Sequence, residues 1–257
     1  MHSNITGYID VAQIVLYVFF AFFTGLIYYL HRENKREGYP LENERSGAIT
    51  VEGFPPVPAP KTFLLADGTT RQAPRAEPRD LRTVNAVPSA NFPGAPLVPI
   101  GDPMTAGVGP GAYAEREDVP DVTMHGTPKI VPLRSAEGFY LDSRDPNPIG
   151  MPVVGADGVV GGIVRDVWVD KGEYLMRYFE VEVGEKAQKR NVLLPATMAR
   201  VSDRGKVTVQ SILGKHFANV PTHKKPDMVT RLEEEKIMAY YGAGTLYATP
   251  QRAEPIL

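Results

Sequence analysis

Four charged side chains flank a turn between two predicted strands, at Asp166, Asp170, Glu173 and Arg177. Arg177 has the same strand phase as Phe179, so its guanidinium would point toward the apolar face. A buried guanidinium needs a carboxylate partner, and Asp170 or Glu173 is the natural candidate. A buried carboxyl group near others titrates at a raised pKa, which suits reversible proton transfer near neutral pH. The alternative is a hairpin tip whose charges are simply solvated.

The sequence carries none of the common enzyme signatures: no phosphate-binding loop, no GxSxG or HExxH motif and no dinucleotide fingerprint. It has no cysteine, which excludes disulfides, thiolate metal sites and cysteine nucleophiles. The net charge of −2 gives no basic surface of the kind that binds nucleic acid. No metal-ligand spacing joins the histidines, which are His2, His31, His125, His216 and His223. We therefore predict no catalytic residue and no metal site.

The strongest structural signal is an uncharged apolar run from Val11 to Leu30. As a helix it spans about 30 Å, the thickness of a bilayer's hydrocarbon core. A cleaved signal peptide would need basic residues before the run, and a helix of a soluble core would have a polar face. Basic residues follow the run and none precedes it, which places its C-terminal side in the cytoplasm. We predict a transmembrane helix at residues 11–31 and a periplasmic tail at residues 1–10.

Residues 32–128 form a proline-rich segment, since most of the chain's 24 prolines lie between residues 38 and 132. Such a segment cannot form long helices or central strands. It also holds more apolar residues than a free linker usually keeps. Two interpretations stay open: an extended chain lying on a partner's surface, or a free linker. Residues 62–65, before Asp67 and Gly68, are the predicted strand of a short hairpin.

Residues 129–257 show short apolar runs separated by glycine turns, which is typical of a small antiparallel barrel or sandwich. The predicted strands are residues 152–154, 159–160 with 163–169, 175–183, 192–195 and 206–212. In the strand at 175–183, alternation places Phe179, Val181 and Val183 on one face and Tyr178, Glu180 and Glu182 on the other. We therefore predict a mainly-β domain here.

The last predicted element is a short helix. Thr230 and Glu233 have the spacing of a capping box at its first turn. Gly242 is predicted to end the helix, and residues 233–235 are predicted to be solvated acids favoured by the helix dipole. The fold class is therefore a single transmembrane α-helix plus a mainly-β domain with a short C-terminal helix.

Short motifs along nearly the whole chain match one known family. In chain order they are GLIYYL at 25–30, REGYPLEN at 36–43, PKTF at 60–63, GDPM at 101–104, GVGP at 107–110, NPIG at 147–150, DVWVD at 166–170, LLP at 193–195, LEE at 232–234 and LYA at 246–248. With these motifs the chain resembles the H subunit of the purple-bacterial photosynthetic reaction centre.

This resemblance implies that residues 129–257 form a cytoplasmic PRC-type small β-barrel that caps the L and M subunits, with residues 32–128 lying across them. The chain itself would bind no pigment, while the complex would hold bacteriochlorophyll, bacteriopheophytin, quinones, non-haem iron and a carotenoid. A cytochrome subunit, a light-harvesting antenna and membrane lipids are further candidate partners. The implied location is the photosynthetic intracytoplasmic membrane, part of the bacterial inner membrane.

The resemblance also implies functional residues for proton uptake by the secondary quinone. Glu173 matches the family's interior proton-relay carboxylate, and Asp170 and Arg177 match its charged neighbours. His125 matches a histidine at the proton-entry surface. Tyr29 matches a position near bound lipid. The implied role is that of a structural and proton-conducting subunit rather than an enzyme.

One departure from the family pattern concerns proton entry. Thr123 and Thr127 stand where well-known members have an acid and a second histidine, so a surface metal site is not expected. Asp121 and Glu117 are candidate substitutes for proton entry. The rival interpretation is a membrane-tethered PRC-barrel adaptor without a photochemical role; a single-pass enzyme would need signatures that the sequence lacks.

Overall fold

The computed structural model describes residues 11–39, 41, 53–75, 82–92, 94–184 and 189–253. Contacts divide the chain into two compact units. The first consists of Met1–Leu81 and Phe92–Gly94, and the second of Arg82–Asn91 and Ala95–Leu257. The predicted periplasmic tail at residues 1–10 lies outside the described residues.

The first unit contains helix α1, Val11–Asn34, which has no buried residue. Its apolar side chains are exposed on every side, and such a surface is stable against lipid rather than water. In the part of the chain that the structure describes, α1 is the one helix long and apolar enough to cross a membrane. This confirms the predicted N-terminal apolar helix and fits a single-pass membrane protein.

A short hairpin follows in the same unit. Strand β1, Lys61–Leu64, pairs antiparallel with β2, Thr70–Ala73. The turn between them uses Gly68 at a φ of 81°, a conformation that glycine adopts without strain. The Asp67 carboxylate accepts a hydrogen bond from the Thr69 N–H at 2.9 Å. The hairpin predicted from the Asp-Gly turn is therefore present.

The second unit contains a two-stranded ribbon and a seven-stranded sheet. The ribbon joins β3, Ala86–Pro88, to β4, Leu97–Pro99. The sheet strands are β5 (Ile130–Pro132), β6 (Pro152–Val154), β7 (Val160–Asp170), β8 (Leu175–Val183), β9 (Arg190–Pro195), β10 (Ala199–Ser202) and β11 (Lys206–Val209). Their order is β10-β11-β6-β7-β8-β9, and β5 pairs with the last residues of β7.

The sheet differs from the predicted antiparallel arrangement at one pair, because β11 runs parallel to β6. All its other pairs are antiparallel. Strands β9 and β10 are the two ends of the described sheet order, so the sheet is not closed into a barrel. The mainly-β domain is as predicted, whereas β5 and β10 were too short to predict from their patterns.

Both faces of β8 are packed. Tyr178, Phe179 and Glu180 are all buried, so the face that carries Tyr178 and Glu180 is covered as well as the face that carries Phe179. The pairing of β7 with β8 shifts at Arg165 and again at Arg177, where one strand has an extra residue. Such bulges break the two-residue period and change the face on which the following side chains lie.

Helix α2, Arg231–Tyr247, begins as predicted but ends later. The Thr230 hydroxyl accepts from the Glu233 N–H, and the Glu233 carboxylate accepts from the Thr230 N–H at 2.9 Å, which confirms the capping box. Gly242 lies inside the helix rather than at its end. A Cβ at Gly242 would stand 2.4 Å from the Pro110 oxygen, so this glycine permits close packing instead of termination.

The hydrophobic core fills the space between the sheet and α2. Its largest fully buried side chains are Trp168, Tyr241, Phe179, Phe217, Leu193, Leu194, Ile212 and Ile237. Part of the proline-rich segment also belongs to this unit, since Met104 joins the core and the 3-10 turn Gly109–Gly111 packs on α2. This portion of the segment therefore contacts its own chain.

Candidate functional site

The structure brings three carboxylates around one ammonium group, and we call Asp121, Lys129, Asp170 and Glu173 the Lys129 cluster. Lys129 Nζ lies 3.0 Å from Glu173 Oε1 and 3.3 Å from Asp170 Oδ2. The Asp121 Oδ2 atom is 4.0 Å from the same nitrogen. The predicted residues Glu173 and Asp170 therefore share a cation that the sequence interpretation did not include.

Strand pairing puts these side chains together. Asp170 ends β7 and pairs with Ile130 at the start of β5, so Lys129 directly precedes that pair. The Asp170 Oδ1 atom accepts hydrogen bonds from the N–H groups of Gly172, at 2.8 Å, and Glu173, at 3.0 Å. These bonds fix the turn that carries Glu173. The Lys129 N–H in turn donates to the Asp121 carbonyl at 2.8 Å.

The charges of the Lys129 cluster define what it can do. The hydrogen bond that Lys129 donates to Glu173, together with the one to Asp170, raises the pKa of Lys129 above its ordinary value. Lys129 therefore stays cationic at neutral pH and holds the three carboxylates close together. The three carboxylates can each accept a proton, and all three lie around the same ammonium group. This arrangement suits stepwise proton transfer from one carboxylate to the next.

The two predicted relay carboxylates differ in exposure. Asp170 is buried, whereas the Glu173 side chain is 56% exposed. The expectation of a buried Glu173 is therefore not met within this chain alone. Glu173 projects from the turn between β7 and β8, where another surface would have to cover it for burial.

Arg177 lies outside the Lys129 cluster, and its predicted pairing with Asp170 or Glu173 is wrong. Its Nη2 atom lies 3.6 Å from Glu234 Oε2 on α2. The physical reason is the bulge in β8, which places Arg177 out of phase with Phe179. Arg177 is also partly exposed rather than directed into the core.

Glu234, beside Arg177, is a partly buried titratable group. The Tyr178 hydroxyl donates to Glu234 Oε2 at 2.6 Å. Burial raises the pKa of Glu234, although the Tyr178 and Arg177 contacts act in the opposite direction. A cleft of about 560 Å³ opens beside these groups and is lined further by Arg116 and Arg231. Glu234 is therefore a second candidate proton carrier.

The three consecutive acids of α2 are not solvated, which corrects the sequence prediction. Glu233 is buried and accepts from the Lys224 N–H at 2.8 Å in addition to its capping bond. Glu234 binds Tyr178, as described, and Glu235 Oε1 lies 2.7 Å from Arg116 Nε. Each acid therefore ties the first turn of α2 to a different part of the same unit.

Asp166, predicted at the turn, lies instead in a separate ion network. Arg134 Nη1 contacts Asp166 Oδ2 at 2.9 Å and Glu180 Oε2 at 2.6 Å. Glu180 is 4% exposed and also accepts from Trp168 Nε1 at 2.9 Å and Asn191 Nδ2 at 2.5 Å. Every oxygen of this buried pair has a donor, so the network fastens β7 to β8 and serves a structural purpose.

His223 stands next to that network. Its ring packs edge-on against Trp168, with 5.2 Å between the ring centroids. Burial lowers the pKa of His223, so the ring is neutral near pH 7. His223 therefore contributes to the packing of the interior and is not one of the charged groups of the network.

The predicted proton-entry residue, His125, is exposed on a tight turn. Its N–H donates to Thr123 Oγ1 at 3.3 Å. The hydroxyls of Thr123 and Thr127 hydrogen-bond each other at 2.9 Å. Asp121 precedes this turn and belongs to the Lys129 cluster, whereas Glu117 pairs with Arg231 at 3.2 Å. Of the two candidate substitutes, Asp121 is thus the one adjacent to Glu173's cation.

Tyr29 lies in the first unit, near the end of α1. Its side chain is exposed, and Lys61 Nζ lies 5.8 Å from the ring centroid. An amphipathic ring at the end of an apolar helix is typical of a position at the lipid headgroups. The predicted lipid contact remains a prediction.

Sequence reasoning missed Lys129 and Glu234. Lys129 has no local signal, because it meets Glu173 only through the pairing of β5 with β7. Glu234 follows the capping-box acid, and its burial depends on how α2 packs on Tyr178. Among the described residues, no group of three or more His, Asp or Glu side chains is arranged to hold a metal ion.

Comparison with known families gives two matches. A model described as "Photosynthetic reaction centre, H-chain N-terminal region" matches residues 3–135, just over half of the chain. A model described as "PRC-barrel domain" matches residues 142–215. The Lys129 cluster draws on both matched regions, with Asp121 and Lys129 in the first and Asp170 and Glu173 in the second. Helix α2, with Glu234, follows both.

Proposed function

The chain belongs to the H-chain family of the photosynthetic reaction centre, and on that premise we propose how it serves the complex. It caps the L and M subunits on the cytoplasmic side and stabilises the quinone sites. It also provides part of the proton-uptake path to the secondary quinone during light-driven electron transfer. The observation that carries the proposal is the Lys129 cluster, which links three carboxylates beside an apolar surface.

That apolar surface begins directly after Glu173. Tyr174 is 80% exposed, and Leu175 and Met176 are exposed as well. The Tyr174 ring stacks on Phe139, with 5.3 Å between centroids, and Tyr140 beside it is exposed. A contiguous patch of this kind is typical of an interface. A partner subunit that covers it would also bury Glu173.

The proposed proton path starts at Asp121, which is partly exposed, and continues past Lys129 to Asp170 and Glu173. Protons would pass between these carboxylates directly or through water. His125 and Asp121 supply candidate entry groups. Arg177 and Glu234 form a second charged pair beside the same strand.

We assign the pigments, quinones, non-haem iron and carotenoid to the partner subunits, as the resemblance to the family implies. The N-terminal end of α1 is proposed to lie in the periplasm and the second unit in the cytoplasm, since basic residues follow α1. The membrane is the photosynthetic intracytoplasmic membrane.

Replacement of Glu173 by Gln tests the relay. Glu173→Gln keeps the shape but removes the titratable group, so the proton-coupled second electron transfer to the secondary quinone should slow by about tenfold or more. Primary charge separation should keep its rate, because it moves no proton. Both are measured by flash absorption on the purified complex.

The matched control is Glu137→Gln, an exposed acid outside the Lys129 cluster. This variant should leave both steps unchanged. If Glu173→Gln also leaves the second electron transfer unchanged, Glu173 has no part in the relay. A tethered PRC-barrel adaptor without photochemistry remains the rival function, and a complex without pigment would favour it.

A further inference from the structure

Residues 221–228, which we call the His223 strap, form an irregular segment of the second unit just before α2. The strap starts after Val220 and ends before Val229, and both valines are buried in the core. Most of the side chains between them are exposed, whereas His223 and Met228 are partly buried. The strap is therefore fixed at its two ends, and His223 is the side chain that ties its middle to the core.

The His223 ring is held by packing, and its buried nitrogen makes no hydrogen bond. The ring lies edge-on against Trp168, with 5.2 Å between the centroids. The Nδ1 atom of His223 is buried and has no hydrogen-bond partner among the described residues. A buried polar atom without a partner costs free energy, and the cost rises if the atom takes up a proton and the ring becomes charged. This packing therefore favours the neutral ring.

Charged groups lie on every element packed around the ring, and they act in both directions. They are Arg134, Asp166, Glu180, Lys224, Asp227 and Glu233. Burial is the largest influence and lowers the pKa of His223, while Glu180 and Glu233 act against burial and Arg134 acts with it. Both carboxylates already accept hydrogen bonds, Glu180 from Trp168 and Glu233 from the Lys224 N–H. The balance therefore favours the neutral ring.

The remaining contacts of the strap are polar and mostly exposed. Arg134 Nη2 donates to the Pro226 carbonyl at 2.6 Å and lies 3.1 Å from Asp227 Oδ1. The Lys224 N–H donates to Glu233 at 2.8 Å, and the Lys224 ammonium pairs with Asp118. Ion pairs between exposed side chains contribute little free energy. The packing of the His223 ring is therefore a main part of what keeps the strap closed.

We propose that the His223 strap is a pH-sensitive cover over Trp168, closed while His223 is neutral and open when His223 is protonated. Opening moves the ring from Trp168 into water and breaks the hydrogen bond from the Lys224 N–H to Glu233. Because Glu233 also caps α2, the switch acts on the first turn of that helix. The inference rests on the contacts of the strap and on no part of the proposed proton path.

The direction of the pH dependence follows from the burial of the ring. In the open strap His223 is in water, where its pKa is near the ordinary value of 6.5, and in the closed strap its pKa is lower. The open state therefore binds more protons, so the closed state is fully favoured above pH 6.5 and loses stability as the pH falls below it. The ratio of closed to open strap should fall by up to about tenfold per pH unit.

The absence of cysteine permits a single nitroxide label on the strap of the full chain in detergent. Lys225→Cys places the label at an exposed position. Its electron paramagnetic resonance spectrum should be that of a slowly moving label at about pH 8, and a fast component should grow between about pH 6.5 and 5. In the unlabelled chain, emission from Trp168, the single tryptophan, should move to longer wavelength over the same range as water reaches the indole.

Two substitutions at position 223 test the role of the ring. His223→Phe keeps an aromatic ring for Trp168 without a titratable nitrogen, so the label should stay slow at every pH. His223→Gln is a smaller neutral replacement, and its label should also show no pH dependence, which keeps the test valid if His223→Phe does not fold. The matched control is His31→Gln, which removes an exposed histidine of α1 and should keep the wild-type transition.

Three results would overturn the proposal. The first is a label in the wild type that moves equally slowly at about pH 8 and about pH 5. The second is a transition that persists in His223→Phe and His223→Gln, because other groups would then cause it. The third is a loss of β-sheet signal in circular dichroism together with the transition, which would mean unfolding of the unit instead of opening of the strap.

Discussion

Lys129 is more important to the arrangement of the Lys129 cluster than either of the predicted relay acids, Asp170 and Glu173. It is the residue that contacts all three carboxylates, and its position before β5 joins the turn at Asp121 to the turn at Glu173. A neutral side chain at this position would leave Asp170 with a buried charge and only backbone donors. The ammonium therefore sets the charge of the whole cluster.

Replacement of Lys129 by Met should slow proton uptake. Without the ammonium, the three carboxylates lose the cation that they share, and their charges repel one another. The proton-coupled second electron transfer should therefore slow, as measured by flash absorption on the purified complex. Lys129→Arg keeps the cation and should retain the original rate, and equal rates for both variants would contradict this role.

Glu234 should give the domain a distinct dependence of stability on pH. Burial raises the pKa of Glu234 above its ordinary value of 4.5, so the folded state favours the protonated carboxyl. That contribution is complete below pH 4.5 and is lost as the pH rises through the folded-state pKa. The free energy of unfolding of the full chain in detergent, followed by fluorescence of the single buried Trp168, measures this loss.

Glu234→Gln removes the titration while its amide oxygen can still accept from Tyr178. The wild type should therefore lose stability relative to Glu234→Gln between pH 4.5 and neutral pH. Glu137→Gln, at an exposed position, should follow the wild type. Parallel curves for the wild type and Glu234→Gln would show that Glu234 ionises in the fold without cost.

At the scale of elements, the glycines of α2 decide how closely the helix approaches its neighbours. A Cβ at Gly244 would lie 2.4 Å from Ile212 Cγ2 and 2.5 Å from the Ser211 oxygen. Gly242 makes the corresponding approach to Pro110. Helix α2 is therefore packed between the residues after β11 and the 3-10 turn at residues 109–111.

Gly244→Ala should destabilise the second unit by about 1–3 kcal/mol, because the new methyl group overpacks the interface. Alanine improves helix propensity by about 1 kcal/mol, so a loss would show that packing outweighs propensity. Thr245→Ala, at the exposed next position, should change stability by about 0.5 kcal/mol or less. Chemical denaturation followed by Trp168 fluorescence compares the two, and equal stabilities would refute the packing argument.

The sequence predicted correctly those elements that are determined by neighbouring residues. The Asp67-Gly68 turn, the capping box at Thr230 and the apolar run of α1 each depend on neighbouring residues and are present as predicted. The bulge at Arg177 depends on the partner strand, and the sequence pattern of β8 alone does not contain it. The same reason explains why Arg177 was paired with the wrong carboxylate.

The sequence also placed Asp170 and Glu173 at one turn, but it did not identify their cation. Lys129 and Asp170 are separated by the whole of β6 and most of β7, so only the sheet order brings them together. Gly242 shows a different limit, since a glycine signal can mean helix termination or close packing. Tertiary contacts decide between the two.

At the scale of the whole molecule, each of the two units exposes an apolar surface. The first unit exposes apolar side chains along α1 and the β1–β2 hairpin, and the second exposes them around Tyr174. Monomeric soluble proteins rarely leave such patches uncovered. The molecule is therefore built for association with both lipid and protein.

A complex purified from photosynthetic membranes through a tag on this chain should carry the absorption of bacteriochlorophyll. Membership of the reaction-centre H-chain family predicts this, because the pigment-binding subunits would be retained. Replacing Tyr174 and Met176 by Asp should reduce the pigment recovered, since charges in the patch oppose association. Asp substitution at exposed Arg204 is the matched control, and a colourless preparation from the wild type would support the adaptor function.

The parallel pairing of β11 with β6 has a consequence for biosynthesis. Strand β6 cannot gain its second neighbour until β11 has left the ribosome, and α2 follows later still. Helix α1 is synthesised much earlier and is long enough to span a bilayer, so it can enter the membrane before β11 is made. The domain therefore completes its folding while already tethered, so a truncation that removes β11 should leave a membrane-bound chain with an exposed strand edge open to aggregation.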